Sequence, residues 1–143
     1  MTSESAADGA AAQAGRAEPV PRILCEARAL AEAPPVPSGV LWKLAESGRQ
    51  LDANVVRIAP GGRIAAHAEA RLDVLLLVVA GDGVLGAGAS DAPRPLGEGA
   101  LVWLPRGSTR SVSAGTRGLT YLTVHNRRPG LGITARPADG PSS

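Results

Sequence analysis

The chain has 143 residues, 44% of them hydrophobic, and carries 15 cationic side chains against 13 anionic ones. That length allows one ordinary domain and excludes a multidomain enzyme. A net charge of +2, with no Phe, two Trp and one Tyr, supplies neither a phosphate-binding stripe nor an aromatic platform for stacked bases, so nucleic acid is excluded as a partner.

The apolar material is unevenly distributed. Leu, Ile and Val total 32 residues, and 25 of them fall between Val40 and Val124. Residues 1–22 are rich in Ala, Ser, Gly and acidic side chains without apolar periodicity, too little to offset the entropy of ordering, and residues 1–37 are read as a largely disordered arm. The opening stretch has no apolar core of the kind a secretion signal needs. Within the arm, Ile23 to Ala33 has helix-favouring composition but stops at Pro34-Pro35, which leaves a marginal helix or an extended segment as alternatives. Cys25, the single cysteine, cannot form an internal disulfide, so nothing argues for an oxidising compartment. A cytoplasmic location is the expectation.

From residue 38 the pattern changes to short β-rich runs separated by Gly- and Pro-containing turns. Strands are predicted at 39–45, 53–59, 63–67, 73–80, 83–87, 100–104, 109–113 and 118–125, with turns at 60–62, 81–83 and 114–118. Gly81-Asp82-Gly83 between two apolar runs reads as a hairpin. The run Val74 to Ala80 is far too short to span a membrane, so no membrane association is expected. Its near-continuous apolarity requires cover on both faces, either by a second sheet or subunit, which favours a homodimer, or by the chain's own N-terminal arm. The spacing predicts an all-β domain over 38–126, a double-stranded barrel or jelly roll, followed by a mostly disordered tail at 127–143.

Two segments carry a family resemblance. Gly61-Gly-Arg-Ile-Ala-Ala-His67-Ala-Glu69, closing at Gly81, resembles the first sequence motif of the cupins, and Gly99-Ala-Leu-Val-Trp-Leu-Pro105-Arg-Gly107-Ser-Thr-Arg110 resembles the second. The resemblance spans roughly 51–125 and implies a single-domain cupin barrel. It also implies a metal site of three His and one Glu, of which only His67 is present here: Glu69 stands at the second His position, Val74 or Asp73 at the Glu position and Arg110 at the last His position. A guanidinium cannot coordinate a cation and repels one nearby. No cofactor is therefore expected, the alternative being a divalent transition metal on His67, Glu69 and His125.

Strand alternation places Glu69 on the same side as His67, and Arg110 is expected to reach the same cavity from a neighbouring strand. One reading is a buried Glu69–Arg110 ion pair that replaces the metal as a cross-link; the other is recognition of a small polar or anionic molecule by these groups. Tyr121 and His125 lie on the alternating run Leu119, Tyr121, Thr123, His125 and join the cavity if that face is inward; otherwise His125 begins a basic tail. Trp103 faces the opposite side, where packing between sheets or subunits is expected. The functional expectation is a barrel without the usual metal site that binds a small molecule or serves as a dimerising module. The alternative is a dioxygenase-, isomerase- or lyase-type enzyme using His67, Glu69, Arg110 and His125.

Overall fold

The computed structural model describes residues 19–33, 37–87 and 92–127. The expectations for residues 1–18, for Pro34-Pro35 and for the tail from 128 onward lie outside the described residues. The described chain forms one short helix, α1 (Ala27–Ala31), and seven strands: β1 (Gly39–Lys43), β2 (Leu51–Ile58), β3 (Arg63–Ala68), β4 (Val74–Gly86), β5 (Arg94–Leu96), β6 (Leu101–Leu104) and β7 (Thr109–Asn126). Of the two alternatives for the arm, the structure takes the helix, which packs against β4 but buries none of its own residues. No helix of the described residues is long and apolar enough to cross a membrane.

The all-β double-stranded barrel is present, with two walls. The first wall is β1, β2, the C-terminal half of β7, the N-terminal half of β4, and β6; the second is β3, the N-terminal half of β7, the C-terminal half of β4, and β5. Every pairing is antiparallel. The two long strands thus pass through both walls side by side.

This overturns two turn assignments. Residues 73–80 and 83–87 do not form a hairpin about Gly81-Asp82-Gly83; they are one bent strand, and 109–113 and 118–125 are likewise one strand. The physical reason lies in β7. From Val78 to Ala80 on β4 the partner moves only from Tyr121 to Thr120, and from Gly81 to Gly83 it jumps from Leu119 to Ala114. Extra residues opposite fewer partners are β-bulges, which bend a strand and sharpen its twist. Gly81 and Gly118 adopt φ of 84° and 80°, and a Cβ built on Gly81 would lie 2.1 Å from the Gly118 carbonyl oxygen. The glycines therefore serve close backbone approach at a barrel corner, where no chain reversal occurs. β5 was not among the predicted strands; its Pro95 pairs with Val84 at a sheet edge, the position in a sheet that tolerates proline.

The core fills the space between the walls. Val74, Leu76 and Val78 of β4 are buried beside Leu104, Val112, Leu119 and Tyr121, and beyond the bend Leu85 packs on the same core. Val78 and Leu85 are separated by an odd number of positions, so simple alternation would put them on opposite faces; the bulges shift the phase and keep both inward. The outer face is less completely covered than the apolar run 73–80 suggests. Leu75, Leu101 and Trp103 remain 44%, 66% and 58% exposed, with Leu75 directly opposite Trp103.

The bend makes a specific demand on stability. Gly81→Ala combines a left-handed φ with a backbone clash and should cost roughly 2–5 kcal/mol in urea unfolding. Gly61→Ala, with φ of 79° but open space around the Cβ, should cost only about 1–2 kcal/mol. Equal losses at the two positions would mean that the backbone contact at the corner is unimportant.

Candidate functional site

Between the walls lies a cavity of about 230 Å³. The first wall contributes Val74, Leu76, Leu104, Tyr121, Thr123 and His125, and the second Ile64, His67, Arg110 and Val112. Half of this lining comes from β7 alone, with Arg110 and Val112 before the bend and Tyr121, Thr123 and His125 after it. Within each half the residues recur at every second position, as one face of a strand requires. The bend sets the two faces against each other.

Arg110 is held by the turn that precedes β7. Gly107, with φ of 85°, allows Pro105–Ser108 to close through a Ser108 N–H donation to the Pro105 carbonyl at 3.0 Å. The Ser108 hydroxyl donates to that carbonyl at 2.6 Å, leaving its lone pairs toward the guanidinium. Arg110 Nη1 donates to the Ser108 carbonyl at 3.3 Å and lies 3.5 Å from Ser108 Oγ. The side chain is 6% exposed, deep burial for a permanent charge. Directly across the β3–β7 ladder from Arg110 is His67, so the two stand on one face as cross-strand neighbours.

Both histidines present the same tautomer. His67 Nδ1 is 3.1 Å from the Ala65 carbonyl and His125 Nδ1 is 2.8 Å from the Asn126 carbonyl. A carbonyl can only accept, so Nδ1 carries the proton in the neutral ring and Nε2 keeps the lone pair. His67 is exposed and His125 partly buried, which places them where the cavity opens. Tyr121 is 5% exposed, and burial pushes its phenol up to about 12, so its hydroxyl remains a neutral donor.

Glu69 departs from the expected arrangement. β3 ends at Ala68, so the alternation that should have turned Glu69 inward with His67 has already stopped, and Glu69 is not among the lining residues. Its Oε2 accepts the Arg71 amide at 2.9 Å and its backbone carbonyl accepts the Gly107 amide at 2.7 Å. The hydrogen bonds of Arg110 go to Ser108.

One charged pair was missed by sequence reasoning. Arg49 donates to Asp52 Oδ1 through Nε at 2.9 Å and lies 2.8 Å from it through Nη2, and Asp52 faces His125 across the β2–β7 ladder. Burial raises the Asp52 carboxyl, but the hydrogen bond and charge of Arg49, aided by His125 and Arg127, outweigh it and hold the group below its ordinary value of 3.8. The Arg-x-x-Asp spacing was visible in the sequence; its position beside His125 was not.

The cavity does not suit the metal that the cupin resemblance implies. Among the described residues its nitrogen donors are two imidazoles, its lining has no carboxylate, and Arg110 brings a positive charge to the same space. Asp73, the alternative carboxylate, accepts the Arg106 amide at 2.8 Å and Arg106 Nη1 at 3.2 Å, and Val74 belongs to the core. Among the described residues no three His, Cys, Asp or Glu side chains gather as metal ligands, so His67, Glu69 and His125 are not brought together.

No protein-family model matches the chain, and no curated protein matches it. Solved structures do. The cupin domain of Cnp3 from Schizosaccharomyces pombe superposes with a TM-score of 0.53 at 15% identity, over 61% of this chain and 63% of that domain, less than two thirds of its length. An uncharacterized conserved protein with a double-stranded β-helix domain from Klebsiella pneumoniae gives 0.59 at 14% identity, over 74% of this chain and 90% of that one. A sugar phosphate isomerase of the cupin superfamily from Silicibacter pomeroyi gives 0.50 at 23% identity, over 57% and 53%. The chain has the cupin fold.

The Asp52 environment predicts a pH effect. A carboxyl held below its unfolded value contributes stability that is present above that value and is lost as pH falls through the folded value. Asp52→Asn should therefore cost up to about 1 kcal/mol at pH 7, and the gap to the parent protein should close between roughly pH 5 and pH 2. A gap independent of pH across that range would show that the Arg49–Asp52 pair does not stabilise the fold.

Proposed function

We propose that this barrel binds a small polar or anionic molecule in the cavity between its walls, anchored by Arg110 and without a metal ion. The observation that carries the reading is a guanidinium only 6% exposed, opposite His67 in register, in a cavity with no carboxylate in its lining among the described residues. Burying a charge without an opposite one is costly, and an anion entering the cavity would supply the missing charge. Tyr121 and Thr123 offer neutral hydroxyls, and the Nε2 atoms of His67 and His125 offer acceptors. The sugar phosphate isomerase shares the fold, but its reaction is not carried over. A cytoplasmic setting belongs to this reading.

Stability separates a binding role from a structural one. Replacing a buried charge by an apolar side chain of similar volume is often neutral or favourable, so Arg110→Met should leave stability unchanged or raise it by about 1 kcal/mol. A loss above about 2 kcal/mol would instead make Arg110 a structural cross-link. Purified protein should hold far less than one transition metal per chain, whether or not His67 is replaced by Ala; a stoichiometric metal lost on His67→Ala would refute the metal-free site.

A second element of the proposal is assembly as a homodimer through the outer face of the first wall. It is favoured by the exposed Leu75, Leu101 and Trp103 on the neighbouring strands β4 and β6, with Leu75 and Trp103 in direct register. Light scattering should give twice the chain mass for the parent protein and the monomer mass for Trp103→Glu. A parent protein that stays monomeric at high concentration contradicts this element alone.

A further inference from the structure

We infer that the cavity selects a monoanion with an apolar body, a short-chain or aromatic monocarboxylate, over dianions such as phosphate esters and dicarboxylates; this rests on the binding role proposed above. Among the described residues the cavity lining holds one permanent cation, Arg110, beside the imidazoles of His67 and His125, so one negative charge is matched at every pH. A second would have to be desolvated without a cation in the lining, and two guanidiniums just outside it already serve carboxylates: Arg49 faces Asp52 and Arg106 faces Asp73.

The remaining lining fixes the other end of the ligand. Ile64, Val74, Leu76, Leu104 and Val112 present no hydrogen-bonding side-chain atom. A polyhydroxylated molecule would lose its bonds to water against them without replacement, whereas a hydrocarbon chain or ring would gain from the same contact. The neutral Tyr121 hydroxyl can donate to a carboxylate oxygen beside Arg110, and it brings no charge for a second anionic group. Size adds an upper bound. An apolar cavity of about 150 Å³ accommodates benzene, so 230 Å³ fits a ligand of roughly six to ten heavy atoms.

The test uses the full chain at pH 8 with hexanoate, benzoate, hexanamide, adipate, inorganic phosphate and benzene as probes, followed by amide chemical shifts and calorimetry. Hexanoate and benzoate should bind at least tenfold more tightly than hexanamide, which removes the charge, and than adipate, which adds a second one to the same chain. Arg110→Gln should lower hexanoate binding to the hexanamide level while leaving hexanamide unchanged. The inference is overturned if adipate or phosphate binds as tightly as hexanoate, or if hexanamide matches hexanoate; a binding cavity would then remain with a different ligand class. If none of the probes, benzene included, shifts the resonances of Arg110, Val112 or Thr123, the binding role itself fails. The probe series on the parent protein decides the matter even if the Arg110 variant does not fold.

Discussion

β4 and β7 run antiparallel through both walls and bend at the same level, where Gly81 stands so close to Gly118 that any Cβ on it would meet the partner's carbonyl oxygen at 2.1 Å. A second contact reinforces the corner, since a Cβ on Gly83 would lie 2.1 Å from the Ser113 carbonyl oxygen. Strand separations this short exclude side chains, so the sequence at the bend is restricted to glycine by hard-sphere sterics. The two sheets, the enclosed core and the cavity all follow from this paired bend. Without it β7 would lie in one sheet, and Arg110 and His125 would not line a common space.

The electrostatics of the site depend on that geometry. A strand that carries its inward residues first into one wall and then into the other brings a guanidinium, a phenol, a hydroxyl and an imidazole together from a single segment of chain. His67 joins them because β3 pairs with the N-terminal half of β7, in the register that sets it opposite Arg110. Among the described residues the carboxylates stand outside the lining. Asp73 serves Arg106, Asp52 serves Arg49, and Glu69 accepts the amide of Arg71. This segregation leaves the cavity with positive charge and neutral hydrogen-bonding groups, the reverse of what a divalent cation requires.

Much of this was legible before the structure. The density of short β-rich runs indicated an all-β barrel, and His67 and Arg110 could be set in one cavity from the cupin-like spacing, whereas alternation left Tyr121 and His125 open between an inward and an outward face. Glu69 could not, because whether a strand extends one residue past Ala68 depends on pairing, and period-two reasoning fails without warning at a strand end. Gly81-Asp82-Gly83 was misread for a related reason. Asp-Gly between apolar runs gives the same local signal whether the chain reverses or bends, and the choice is made by β7, more than thirty positions further along. Asp52 escaped notice because its relation to His125 exists only across a ladder between β2 and β7.

The central claim is that one paired bend builds both walls, and the backbone proximities of β4 in solution test it most directly. Nuclear Overhauser contacts should connect Leu77 with Leu122 and Val84 with Ser113, the partners that flank the corner on either side. Their joint observation would place both halves of β4 on one continuous β7. Contacts pairing residues 73–80 with 83–87 instead would establish a hairpin at Gly81-Asp82-Gly83 and contradict the account.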